Sequence, residues 1–281
     1  MPDRSVGLIL FGILQILIGL ACSALVLFIA SGSELAARQG AKSGAAMASG
    51  LVVYGLATVY FVGVGVGSIR KRRWARALSV VVSAIWLAAG IVTTLLLVIV
   101  GSNATLIGGA IVFAILLPLV LLLFYSRPAV RATCEAFDAP RWTDRVPLPV
   151  LAVVIVLAFA SLALMANLAN PSLSFAGQKI TGAPAALTLL GLAILCAWLA
   201  VQLYRLKESA WWVVVMLQVI GCVIAGASFM RESTSRAPLL IAVVVASWLA
   251  YFAYLLFIRR YFAFGGGPQT RRTDIAPRPL T

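Results

Sequence analysis

Eight times along this chain of 281 residues the sequence runs apolar for about twenty residues or more, the length a helix needs to cross a hydrocarbon layer roughly 30 Å thick. The runs cover residues 6–30, 47–69, 78–100, 106–125, 148–168, 185–204, 211–229 and 239–258. Their apolarity is continuous, which predicts helices. Barrel strands would alternate lipid-facing and lumen-facing residues. Hydrophobic residues make up 63% of the chain and charged residues 11%, and a water-soluble fold cannot cover that much apolar surface. The fold class expected is therefore an all-α integral membrane protein of about eight transmembrane helices. The first run follows Arg4 as a secretory signal would, and Ala36-Ala37 offers a cleavage site. Its length exceeds the roughly 7–15 residues of a signal core, so a retained helix is expected.

The cations test this division. Placing the N-terminus in the cytoplasm puts 17 of the 22 Lys and Arg in inside segments and leaves 5 outside: Arg38, Lys42, Lys179, Arg231 and Arg236. That asymmetry is what the positive-inside rule requires, and losing or adding one helix would scramble it. Both termini are expected in the cytoplasm, with residues 31–46 and 170–184 facing outward. The net charge of +14 sits in short loops between apolar runs. It therefore points to anionic lipid headgroups as partners, not to nucleic acid, which needs a folded basic face. A high content of Ala, Gly and Arg points to a bacterial inner membrane.

Aromatic residues near the run ends, among them Trp74, Tyr125, Trp142, Tyr204, Trp211 and Tyr261, are expected at the headgroup level. Pro147, Pro149, Pro184 and Pro238 open spans, where a missing N–H costs little. Pro118 lies inside the fourth span and should kink it.

The domain pattern is a first four-helix half (1–125), a basic cytoplasmic linker (126–147), a second four-helix half (148–260) and a flexible, Gly/Pro-rich cytoplasmic tail (261–281). Each half has a basic step between its second and third spans, Arg70-Lys71-Arg72-Arg73 and Arg205-Leu206-Lys207. The fourth spans end alike, in Leu122-Leu123-Phe124-Tyr125 and Leu255-Leu256-Phe257-Ile258. Two parallel four-helix repeats would produce this, and so would chance likeness between apolar segments; both readings stand. The opening Phe11-Gly12-Ile13-Leu14-Gln15-Ile16-Leu17-Ile18-Gly19, with the basic link after the second span, resembles the membrane-spanning four-domain family of B-cell-antigen-like tetraspans. Those proteins are membrane scaffolds and channel-associated components, so the resemblance implies a non-enzyme.

No Asp, Glu, Lys or Arg lies in the interior of any run, which argues against proton-coupled transport and voltage sensing. Histidine is absent and the four cysteines show no metal or disulfide spacing, so neither a metal nor any other cofactor is expected. Glu135, Asp138 and Asp144 form the one acidic cluster. As a site they would serve a cation or phosphate ester; local pairing with Arg131, Arg141 and Arg145 is the favoured account. Buried amides remain, with Gln15 and Gln218 deeper than Asn167 and Gln202. They read as interhelical glue or, less economically, as a polar path. Small residues at i,i+4, namely Gly63 and Gly67, Ala84 and Ala88, and Gly221 and Ala225, give grooves for helix packing or for a partner's helix. Gly63 to Gly67 lacks the Lys-Ser/Thr of a phosphate loop, and the Asn103-Ala104-Thr105 sequon lies too close to the membrane to read as a glycan site. The function expected is a non-catalytic scaffold or accessory subunit that packs against other membrane helices or lipids. The alternative is an uncoupled carrier or channel for a neutral or lipid-like solute.

Overall fold

A computed structural model describes residues 5–38, 44–139, 146–169, 171–175, 178–229 and 237–262. Helix α1 spans Ser5–Arg38, α2 Gly44–Ile69 and α3 Arg73–Val100. The fourth span joins α4 (Ala104–Ala110), a π-helical turn (Ile111–Leu116) and α5 (Leu117–Tyr125). A short helix α6 (Pro128–Phe137) precedes α7 (Leu148–Ala166). Strands β1 (Ser172–Phe175) and β2 (Gln178–Thr181) lead to α8 (Ala183–Tyr204), α9 (Glu208–Phe229) and α10 (Ala237–Ile258). Among the described residues seven helices are long and apolar enough to cross a membrane, and α9 adds a shorter apolar stretch, Glu208–Ile224. Large side chains on the outer faces, such as Phe28 at 75% exposure and Val59 at 73%, require an apolar solvent.

Four expectations need correction. Helix α1 runs on to Arg38 and α2 begins at Gly44, so most of the expected outer loop 31–46 is helical. At 1.5 Å per residue α1 is roughly 50 Å long, more than the hydrocarbon layer requires. The loop before α8 holds an antiparallel hairpin, in register from Ser172 opposite Thr181 to Phe175 opposite Gln178. The linker carries α6, with Pro128 in its first turn and Val130, Thr133 and Cys134 buried at helical spacing. Tyr125 and Trp211 are not headgroup anchors: they are 0% and 1% exposed inside the bundle. Trp142 and the residues after 262 lie outside the described residues.

Around Pro118, where a kink is expected, the fourth span leaves α-helical geometry in a definite form. Lacking an N–H, Pro118 cannot bond the carbonyl four residues earlier, that of Ala114. The chain widens into the π-helical turn just before it, where the Leu117 N–H reaches back five residues to the Val112 carbonyl. The Ala114 carbonyl faces Gly90 of α3 so closely that a methyl on Gly90 would fall on its oxygen. A proline on one helix thus fixes a glycine on another.

Helices α1 and α2 pack along their length through a reciprocal contact. A methyl on Gly12 would meet the Gly65 carbonyl oxygen at 2.8 Å, and one on Gly65 would meet the Gly12 oxygen at 2.7 Å. The small-residue interface is real, but it runs through Gly12, Gly19 and Gly65 and not through Gly63, which has open space around it.

The two halves share local geometry. Lys71 and Leu206 both take the left-handed conformation, with φ of 54° and 56°. Each closes its helix with the same two bonds, Lys71 N to Ser68 O (2.9 Å) and Arg72 N to Gly67 O (2.9 Å), against Leu206 N to Leu203 O (2.9 Å) and Lys207 N to Gln202 O (3.1 Å). In the following first turn Ala75 and Ala210 are both 0% exposed. The next residue in each half donates to the C-terminal end of the fourth span, Arg76 Nε to the Tyr125 carbonyl (3.1 Å) and Trp211 Nε1 to the Leu255 carbonyl (2.9 Å). Each half also has its own buried apolar cluster, one around Leu8, Leu121 and Phe124, the other around Val150, Leu203, Trp211 and Leu255. The halves meet where α2 and α3 touch α7 and where α3 touches α10.

Candidate functional site: a buried polar ring and an arginine pocket

Four helices of the first half converge on a ring of hydrogen bonds. The Tyr125 hydroxyl donates to Ser68 Oγ (2.8 Å), which donates to Gln15 Oε1 (3.4 Å). Gln15 Nε2 donates to Ser79 Oγ (3.2 Å), and the Tyr125 hydroxyl also lies within reach of Gln15 Oε1 (3.2 Å), which closes the network. All four residues are 0–1% exposed. Each hydroxyl can donate once and accept once, so the ring satisfies its members without water. In an apolar medium an unmade bond is expensive, so a closed ring fixes the mutual rotation of α1, α2, α3 and α5. The positions matching Ser68, Ser79 and Tyr125 in the second half hold Leu203, Val214 and Ile258, all buried.

The ring abuts the end that carries the basic loops. There α6 lies across the start of α3, and Asp138, at the end of α6, binds it with both oxygens. Arg72 Nη1 donates to Oδ1 (2.8 Å) and the Arg73 backbone N–H to Oδ2 (3.1 Å). A carboxylate there satisfies an orphan amide and complements the helix dipole. Its side chain is 2% exposed, against 38% for Arg72. Arg73 Nη2 donates to the Glu135 carbonyl (2.9 Å), and the Lys71 ammonium sits 3.9 Å from the centre of the Phe137 ring. The local pairing expected of the acidic cluster is found at Glu135, whose Oε1 accepts from Arg131 Nε at 2.7 Å. That bond holds Glu135 below the usual carboxylate range. Asp138 also reaches across the fold to Arg72, a long-range contact that the reading of the linker as a local cluster does not include. Asp144, Arg141 and Arg145 lie outside the described residues.

Between α3, α6 and the start of α7 these side chains frame a cavity of about 210 Å³. Arg73, Arg76, Arg131 and Glu135 are its charged lining, and Val146 and Leu148 contribute apolar lining. Cys134 also lines it, and burial pushes its thiol up to about 11, leaving it protonated and inert at neutral pH.

The residues singled out in the sequence fall in several places. Gln15 is the hub of the ring, and its neighbours Gly12 and Gly19 are the close contacts of α1 on α2. Gly67 packs against Trp74 and Ala75, and Gly221 against Trp248. Ala84 and Ala88 are exposed on α3, Gln218 is half-buried on α9, and the side chain of Ala225 lies outside the described residues. Ser68, Ser79, Tyr125 and the arginine cavity are not legible from spacing alone, because serine and tyrosine are tolerated in spans without any partner on another helix. Ser23 and Ser31, for example, simply bond carbonyls of their own helix. The sequon asparagine, Asn103, caps α4 by accepting from the Leu106 N–H at 2.8 Å. No protein-family model, no curated protein and no solved structure matches the chain.

Proposed function

We propose that this protein is a non-catalytic membrane scaffold or accessory subunit of eight spans, built from two parallel halves. In this reading both termini lie in the cytoplasm of a bacterial inner membrane. The carrying observation is the closed polar ring: Gln15, the most buried amide among the described residues, is spent on joining four helices of its own half. The partly buried Arg76 is likewise turned to a helix end by its bond to the Tyr125 carbonyl. Small residues on outward faces, Gly63 with open space around it and the exposed Ala84 and Ala88, leave surfaces on which another helix can approach closely. The shared left-handed caps and first-turn donors support the two-half organisation. Gentle extraction from the native membrane followed by native mass analysis is expected to show a co-migrating membrane chain. A protein that stays monomeric and alone under those conditions would falsify the scaffold reading.

An apolar cleft of about 300 Å³ between α2 and α7, lined by Val53, Leu56 and Phe159, favours a second reading, uncoupled passage of a neutral or lipid-like solute between the halves. Solute or labelled-lipid flux in reconstituted vesicles above that of empty ones would select it.

The orientation has its own test. Single cysteines replacing Ser33, Arg70, Ser174 and Gln269, on a background without native cysteine, are treated with an impermeant thiol reagent in intact cells. Positions 33 and 174 should react while 70 and 269 stay protected, because carrying the cluster Arg70 to Arg73 across opposes the potential at roughly 2.3 kcal/mol per charge per 100 mV. Labelling at 70 inverts the topology, and disagreement between 33 and 174 changes the span count.

A further inference from the structure

We infer that the arginine cavity at the junction of α3, α6 and α7 binds the phosphate of an anionic lipid headgroup, and that the bound lipid ties the two halves together. Among the described residues three arginines, Arg73, Arg76 and Arg131, line it with one carboxylate, Glu135, which is held by Arg131. The Nε of Arg73 is buried and has no hydrogen-bond acceptor among the described residues. A desolvated cationic donor of this kind is where a phosphate oxygen gains most, since charge-assisted bonds from guanidinium to phosphate are short and strong. The Glu135 backbone carbonyl takes up Arg73 Nη2 and leaves Nε without an acceptor among the described residues.

The position selects a lipid over a soluble ester. Arg73 and Arg76 stand in the first turn of the α3 span, and Leu148 opens the α7 span, so the cavity sits where hydrocarbon gives way to headgroup. Its apolar wall of Val146 and Leu148 suits the glycerol and first methylenes of an acyl chain, and basic pockets between spans on the cytoplasmic side are a recurring form of headgroup site. Because α3 and α6 belong to the first half and α7 to the second, one lipid would touch both. The inference rests on the membrane placement proposed above, but it needs no protein partner.

The test uses the full-length protein, stripped of native lipid in a neutral detergent. It is titrated with dioctanoyl phosphatidylglycerol, with dioctanoyl phosphatidylcholine, and with glycerol 3-phosphate, and bound molecules are counted by native mass analysis alongside thermal shift. Saturable binding of one phosphatidylglycerol, with a rise in thermal midpoint and weaker binding of phosphatidylcholine, is expected. Arg73→Gln should weaken it at least about tenfold. Arg205→Gln, which removes a cation from the same face away from the cavity, should leave it within about twofold. If Arg73→Gln does not purify as a single species, Arg73→Lys and Arg131→Gln replace it, each expected to weaken binding several-fold. Equal binding of glycerol 3-phosphate would assign the same site to a free phosphate ester, whereas lipid binding without it assigns the headgroup. Absence of saturable binding, or equal losses in Arg73→Gln and Arg205→Gln, overturns the inference. Neither result bears on whether a protein partner co-purifies.

Discussion

Gly90→Ala should be among the most damaging single-methyl changes available in this protein. The added carbon would overlap the Ala114 carbonyl oxygen, a backbone atom in the π-helical turn just before Pro118. A flexible side chain could swing away; a π-helical backbone pinned by the following proline cannot do so cheaply. Overpacking usually costs about 1–3 kcal/mol, and a clash with backbone belongs at or beyond the upper end. The expected result is a fall of several degrees in the thermal midpoint of the detergent-solubilised protein, or loss of the monodisperse species. Gly63→Ala, Gly108→Ala and Gly191→Ala supply the control, because nothing lies within 4 Å of a methyl at any of them. Those three should be neutral or slightly stabilising, since alanine favours a helix over glycine by up to about 1 kcal/mol. If Gly90→Ala melts with the controls, the close approach of α3 to the fourth span is wrong.

The contrast between Gly90 and Gly63 also shows what the sequence could convey. Length, apolarity and the alternation of loop charge locate the spans because lipid imposes those constraints directly. They do not say which face of a helix turns inward, since lipid is as apolar as a leucine core and leaves little amphipathic signal to read. Of the small-residue pair Gly63 and Gly67, Gly67 packs on Trp74 and Ala75 while Gly63 meets nothing, and it is Gly65, between them, that makes the contact with Gly12. Helix α6 was more accessible, as Val130, Thr133, Cys134 and Phe137 recur at helical spacing within the linker. Its polar composition hid them, and the long-range pair of Asp138 with Arg72 depends on where α6 comes to rest. Gln15 was legible as glue because a buried amide must find a partner. Which partners it found was not legible, for they are hydroxyls on three other helices.

Those hydroxyls set the second large effect. Gln15→Leu removes the hub of the ring and leaves Ser68 without its acceptor and Ser79 without its amide donor among fully buried side chains. A buried polar group left unsatisfied costs about 1–3 kcal/mol in a soluble core. Interhelical bonds in membranes average nearer 0.6 kcal/mol, with about 1.7 at the top. A hub serving several partners should approach the larger figures, so a loss of about 2 kcal/mol is expected for Gln15→Leu. Tyr125→Phe removes one donor, leaves the serines and the amide able to pair among themselves, and should lose about half as much. The second half carries leucine, valine and isoleucine at the matching positions and packs without any polar group. Replacing the ring as a unit, by Gln15→Leu, Ser68→Ala, Ser79→Ala and Tyr125→Phe together, should therefore recover much of the stability that Gln15→Leu loses. The measurement is chemical or thermal unfolding of the four single variants and the combination in one detergent. Recovery in the combined variant identifies a specificity device that keeps the helices in one rotation. Simple addition of the single losses would mean that the four residues act independently, and the ring would have no role as a unit.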